Sequence, residues 1–232
     1  MRTVLLSLTV TFTSVLSSAA AEVIEPLRPF IGKVTGSLNE VSAKRKEALK
    51  DAIDYISDQL VNKKEVKLNF ICTHHSRRSH LAQVWTQVAA HHFEISGVKT
   101  FSGGTEATAC NIRTIRAMRR AGLAIAASNQ HKNPIYLVQF SEKMPSMKTF
   151  SKIYTEGGNP KEGYIAMMCC ADASEKCPVV FRSDTICLLH YEDPKVADNT
   201  PGEAAKKSGS CASCFKIAFG GKGWKWHLAF PP

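Results

Sequence analysis

Cys72, Arg78 and Ser79 are spaced as a nucleophile, an anion clamp and a hydroxyl partner within one octapeptide, Cys72-Thr73-His74-His75-Ser76-Arg77-Arg78-Ser79. A thiol becomes a strong nucleophile only as its thiolate. Helix N-terminal N–H groups and neighbouring arginines favour that form. The same N–H groups, turned inward in a tight loop, bind a tetrahedral oxyanion. Arg78 can grip two of its oxygens in a bidentate fork. Ser79 can hydrogen-bond the sulfur and steady it as a leaving thiolate. Thr73, His74, His75, Ser76 and Arg77 complete the oxyanion-binding loop. A thiolate attacking phosphorus also needs a general acid for the departing oxygen. Asp193, fixed before the rigid ring of Pro194, is the candidate; taken alone, an Asp-Pro pair reads as an ordinary turn.

Cys170 and Cys177 raise a second chemistry. If Cys72 carries an oxidised or adducted sulfur, a nearby thiolate can attack it, and a third thiol can then carry the disulfide to the surface. Without Cys72 they read as two inert cysteines. Cys169 falls on the opposite side of a strand from Cys170. Cys110 and Cys187 read as small buried hydrophobes. Cys211-x-x-Cys214 has the spacing of half a zinc site or of a disulfide, with no second ligand pair in the sequence. His91 and His92 do not share a helical face, so they read as a helix C-terminus rather than as joint metal ligands. The chemistry calls for no metal and no cofactor.

Several elements must position these residues. Residues 66–71 form a short apolar run that reads as a strand leading into Cys72. From Ser79, the positions Leu81, Val84, Trp85, Val88 and Ala89 repeat at helical spacing. The octapeptide is therefore a strand-to-helix loop. Residues 98–102 read as a second strand ending in Gly103-Gly104-Thr105, where glycines permit a sharp turn beside a ligand. Asn111 caps a helix that stops at Gly122. Residues 135–140 and 148–154 suggest a hairpin, and 164–169 and 185–190 two further strands. Strands alternating with helices predict βαβ units and a parallel sheet. Ligands of such sheets sit at the carboxyl ends of strands, and Cys72, Gly103, Cys170 and Asp193 all fall just past predicted strand ends. Outside this region, residues 22–36, with Pro26 and Pro29, read as a linker. A capping box at Ser37 and Glu40 predicts a helix start there, and another at Thr200 and Glu203 predicts a last helix, interrupted by Ser208-Gly209-Ser210.

The 232 residues, 44% of them hydrophobic, suffice for one full core with extensions. A net charge of +10 favours anionic partners, from small oxyanions upward. The sequence has no run of five basic residues and no aromatic-interleaved basic ladder, which argues against nucleic acid. Arg2, an apolar stretch over residues 4–16 and Ala19-Ala20-Ala21 form a secretory signal pattern, too short and too broken by Ser and Thr to span a membrane. The expected division is a signal peptide at 1–21, a linker and N-terminal helix at 22–64, a catalytic domain at 65–219 and an irregular tail at 220–232. The expected mature protein is exported, periplasmic or secreted, with no membrane attachment; without a functional signal it would be cytoplasmic.

From residue 66 to about 205 the chain resembles the superfamily that joins low-molecular-weight protein tyrosine phosphatases and thioredoxin-coupled arsenate reductases. The resemblance rests on Phe70-Ile-Cys-Thr-His-His-Ser-Arg-Arg-Ser79, Ser102-Gly-Gly-Thr105, Asn133-Pro134-Ile135-Tyr136, Cys170-x6-Cys177 and Asp193-Pro194. It implies an α/β three-layer sandwich, with a four-stranded parallel sheet in the order 2-1-3-4, helices on both faces and an inserted hairpin. It implies Cys72 as nucleophile, Arg78 as clamp, Ser79 as thiolate stabiliser and Asp193 as acid. From the arsenate reductases it implies an arsenic-response activity. Cys170 would attack Cys72 to release arsenite, Cys177 would attack Cys170, and a thioredoxin-like partner would reduce the resulting disulfide. The sequence departs from the family at His75, where Asn usually helps hold the loop backbone, at Arg77, often a second cysteine, and at Ile112, often Pro. The function expected first is arsenate reduction through the Cys72–Cys170–Cys177 relay; the alternatives are phosphomonoester or phosphotyrosine hydrolysis and non-catalytic oxyanion binding in an exported protein.

Overall fold

The computed structural model describes residues 21–128, 131–176 and 180–219. Cys177, residues 1–20 of the expected signal segment and the expected tail at 220–232 lie outside the described residues.

Strand β1 (Val66–Cys72) is buried along nearly its whole length, as a central strand of a parallel sheet covered on both faces must be. It pairs in parallel with β2 (Val98–Gly104) on one side and β6 (Ile165–Met168) on the other. β6 pairs in parallel with β7 (Thr185–Leu188). The order β2-β1-β6-β7 is the predicted 2-1-3-4 once the inserted strands are set aside. Helix α3 (Arg78–His92) links β1 to β2 and packs on both strands. Helix α6 (Glu203–Phe219) packs on α3 and on α4 (Ile112–Arg120), α2 (Ala43–Val61) covers β7, and α5 (Ala171–Lys176) follows β6. The insertion is larger than the predicted hairpin. β3 (Ala124–Ala127), β4 (Tyr136–Gln139) and β5 (Met147–Thr149) form a three-stranded antiparallel sheet. The Ala-rich β3 has little strand propensity of its own, so pairing with β4 decides its conformation.

Three expectations about local structure change. Residues 22–36 are not a linker. They form a 3-10 turn and then α1 (Arg28–Thr35), with Pro26 and Pro29 in the first turns, where a missing N–H costs nothing. Leu27, Ile31 and Val34 are buried there, and the Phe30 ring lies 4.6 Å from that of Trp85 in α3. The helix predicted from Ser37 begins instead at Ala43: Ser42 Oγ accepts the Arg45 N–H, and residues 38–40 are a single 3-10 turn. Thr200 uses its hydroxyl on the Ala197 carbonyl rather than as a cap, and α6 runs unbroken through Gly209. Burial of Cys211, Cys214 and Phe215 on that helix outweighs a glycine cost of about 1 kcal/mol. Among the described residues no helix is long and apolar enough to cross a membrane.

Candidate active site

The octapeptide is the β1–α3 connection, and its backbone is organised by where its carbonyls go. Cys72 O accepts the Thr105 N–H at 3.0 Å, and Thr73 O accepts the Glu106 N–H at 2.8 Å. His74 O accepts the Thr108 hydroxyl at 2.7 Å, His75 O accepts the His80 ring N–H, and Ser76 O accepts the Asn111 N–H at 2.9 Å. Every carbonyl from 72 to 76 is thus engaged by the β2–α4 connection or by α3. Among the described residues no peptide bond is cis, and a trans peptide sets each N–H opposite the preceding carbonyl. The N–H groups of residues 73–77 therefore turn to the concave side, where the first turn of α3 adds its own free N–H groups and positive dipole end. Gly104 allows the close approach: a Cβ there would lie 2.7 Å from Thr73 O and 2.8 Å from His75 N, and closer still to Glu106 O.

His75 holds the bend. It has φ +43°, in the left-handed region, and its ring is fully buried. The Lys152 N–H donates to Nδ1 at 2.8 Å, which leaves Nε2 carrying the proton and donating to Ser102 Oγ at 2.8 Å. The Ser102 hydroxyl in turn donates to Gln83 Oε1, and Gln83 Nε2 to the Thr100 carbonyl. His80 stacks on His75 with ring centroids 3.9 Å apart. Burial pushes the His75 pKa far below the usual imidazole value, aided by the nearby charges of His80 and Lys152; burial takes His80 down to about 3. Both rings are neutral, and the chain Lys152–His75–Ser102–Gln83 ties the loop to β2 and α3.

Cys72 Sγ lies 3.0 Å from Ser79 Oγ, and both residues are buried. Burial is the strongest influence on the thiol and raises its pKa. The Ser79 hydroxyl and N–H oppose it, Cys170 adds to it, and Arg78 opposes it. Arg78 Nη2 is 3.1 Å from Asp193 Oδ2, while Asp193 Oδ1 accepts the Lys195 N–H at 2.9 Å. The predicted nucleophile, clamp, hydroxyl and acid are therefore brought together. The Arg77 side chain is not turned to the loop interior: its Nη2 donates to Asp198 Oδ2 at 2.8 Å. His74 stands exposed at the rim, 3.6 Å from Glu106.

Cys170 is buried, its Sγ 3.5 Å from Thr73 Oγ1. Cys169, set aside in the sequence, also borders the site. Ile71 pairs with Met168, and the Cys169 N–H donates to Ile71 O at 2.7 Å, so the next register position puts Cys169 beside Cys72. Burial, then Cys72, Cys214 and Cys170, raise its pKa. The register of β1 against β6, which only the folded sheet supplies, is the signal that finds it. Cys211 and Cys214 are free, buried thiols of α6 rather than a disulfide.

No family model matches the chain, and no curated protein matches it. Solved structures do match. The fold is similar to that of low-molecular-weight protein tyrosine phosphatases. One such enzyme, from T. tengcongensis, matches at 11% identity with a TM-score of 0.43, over 66% of this chain and 95% of that one. A YwlE mutant from Bacillus subtilis matches at 12% and 0.42, over 66% and 94%. A low-molecular-weight phosphotyrosine phosphatase from Vibrio cholerae O395 matches at 11% and 0.37, over 66% and 92%. At these values the function has to be argued from this chain's own residues.

Proposed function

We propose that the protein is a cysteine-dependent oxyanion enzyme and, more specifically, a phosphomonoesterase acting through a cysteinyl-phosphate. The observation that carries this reading is the Arg78–Asp193 pair beside the Cys72–Ser79 pair. Asp193 serves this chemistry because the departing oxygen of an ester needs a proton; hydroxide leaving arsenate would use the same acid, so ester hydrolysis is preferred because it needs only Cys72, Arg78, Ser79 and Asp193 and no relay thiol.

The loop N–H groups and the Arg78 fork hold the phosphoryl oxygens, with Arg78 Nη2 also set against Asp193. The Ser79 hydroxyl and N–H and the Arg78 charge favour the Cys72 thiolate against its burial. The thiolate attacks phosphorus in line. The P–O bond to the leaving group breaks, and protonated Asp193 gives that oxygen its proton. Asp193, now a carboxylate, takes a proton from water as the water attacks the cysteinyl-phosphate. The S–P bond breaks, and Ser79 receives the thiolate in a hydrogen bond. The test is aryl phosphate hydrolysis by the reduced protein. Cys72→Ser should abolish turnover, and Asp193→Asn should lower kcat by roughly 100-fold or more. Turnover that survives Cys72→Ser removes this reading.

The placement of Cys170 against Thr73 supports a second reading, arsenate reduction by the Cys72–Cys170–Cys177 relay with a thioredoxin-like reductant. Its signature is thioredoxin-dependent arsenite release that is lost in Cys177→Ser.

A further inference from the structure

We propose that Asp198 is a positioning residue for Asp193: through Arg77 it fastens the far end of the acid-bearing turn to the anion loop and so sets where Asp193 stands against Arg78 and the loop. This inference rests on the phosphomonoesterase reading.

The turn runs from Asp193 to Asp198, a 3-10 helix at Pro194–Ala197 between two aspartates. Its first residue meets Arg78, and its last meets Arg77 at 2.8 Å, so consecutive loop residues hold its two ends. Between them only Pro194 and Ala197 are buried, while Lys195 and Val196 are exposed. Apolar packing alone gives the turn little to fix its tilt. One anchor sets a distance, and two anchors set an orientation.

The Asp198 anchor is built into the molecule. Arg77 and Asp198 are each 15% exposed. The other carboxylate oxygen of Asp198 receives Lys207 of α6, a fully buried lysine that also lies 3.1 Å from Glu203. Glu203 in turn holds Arg113 of α4 at 3.0 Å and the Asn199 N–H at 2.9 Å. Burial works against the Asp198 charge. The Lys207 hydrogen bond and the charges of Arg77, Lys207 and Arg113 outweigh it and keep the carboxyl below the usual aspartate range. Three cations surround two carboxylates, with Lys207 fully covered and Arg113 and Glu203 still partly open to solvent. Because the Arg77 guanidinium is committed here, its side chain serves the turn while its N–H serves the anion. Loop and acid then keep one relative geometry.

The test uses the reduced full-length protein with Asp198→Asn, and with Asp198→Glu as the milder variant should the first not fold. Two readouts are taken: kcat/KM for phenyl phosphate against 2,4-dinitrophenyl phosphate, which reports the leaving-group step alone, and the carboxyl titration of Asp193 by carbon-13 NMR. We expect kcat/KM to fall roughly ten-fold for the poor leaving group and to change little for the good one, as partial loss of acid catalysis requires. Vanadate inhibition should hold, since Cys72 and Arg78 are untouched, and the Asp193 titration should shift. Equal losses on both esters with an unmoved Asp193 titration overturn the proposal. If the wild type hydrolyses neither ester, the phosphomonoesterase reading fails. The Asp193 titration still decides the coupling: a shift in the variants upholds it, and no shift overturns it.

Discussion

His75 shows how one residue meets two demands. It adopts φ +43°, which non-glycine residues seldom do, and its ring supplies the hydrogen bonds that hold that geometry. The family resemblance expects Asn at this place; the imidazole does the same holding from farther away, reaching Ser102 and the Lys152 backbone together. The cost is acid sensitivity. His80 is held at about 3, below the usual 6.5, and His75 is displaced in the same direction. Between those values the unfolded chain binds more protons than the folded one, so stability rises with pH and is lost as pH falls below 6.5. Each histidine contributes at most about 1.4 kcal/mol per pH unit. A lower urea midpoint at pH 5 than at pH 7 is expected, and equal midpoints would count against neutral, buried rings. The identity of Cys72, Arg78, Ser79 and Asp193 was legible because each is chemically distinctive at a fixed spacing. Arg77 was read as a member of the anion loop; the direction of its guanidinium, toward Asp198, came from the fold alone.

At the scale of elements, the strand–loop–helix unit was readable because local pattern and tertiary demand agree. β1 is apolar, α3 is periodic, and Gly104 stands where the loop crosses β2. A methyl group at Gly104 has no room between Thr73 O and His75 N. Gly104→Ala should therefore leave the far-ultraviolet spectrum unchanged while lowering kcat/KM for an aryl phosphate about 100-fold, the size of effect expected from an ångström of misplacement. Activity near that of wild type would mean that the loop does not need the approach. Capping boxes were the poorer guide. Ser37 and Thr200 have the right neighbours in sequence, but Ser42 caps α2, and Glu203 turns its carboxylate to the Asn199 N–H ahead of α6. A cap is chosen by where the helix can pack, and that choice is not local. The same holds for α6, whose Gly209 is carried by the buried side chains on either side of it.

Across the whole molecule, the N-terminal segment is part of the core. Leu27, Ile31 and Val34 are buried, and Ile24 N–H donates to the Phe140 carbonyl at 2.9 Å. Each such side chain contributes about 1.5–3 kcal/mol. A chain starting at residue 37 should melt lower by on the order of 10 °C or more; an unchanged melting temperature would show the segment to be an appendage. The sequence by itself determined the chemistry on offer and the parallel-sheet class, because nucleophile, clamp and acid types are explicit and because strands alternating with helices admit few topologies. Only the tertiary structure decided which of these groups meet. It put Cys169 in register beside Cys72, joined Arg78 to Asp193 across more than a hundred residues, and gave Arg77 to Asp198. Strand register and long-range ion pairs depend on how distant segments pack, and no local pattern of residues carries that information. The loop at 72–79 was thus written in the sequence as a set of reagents, and the fold made it a site.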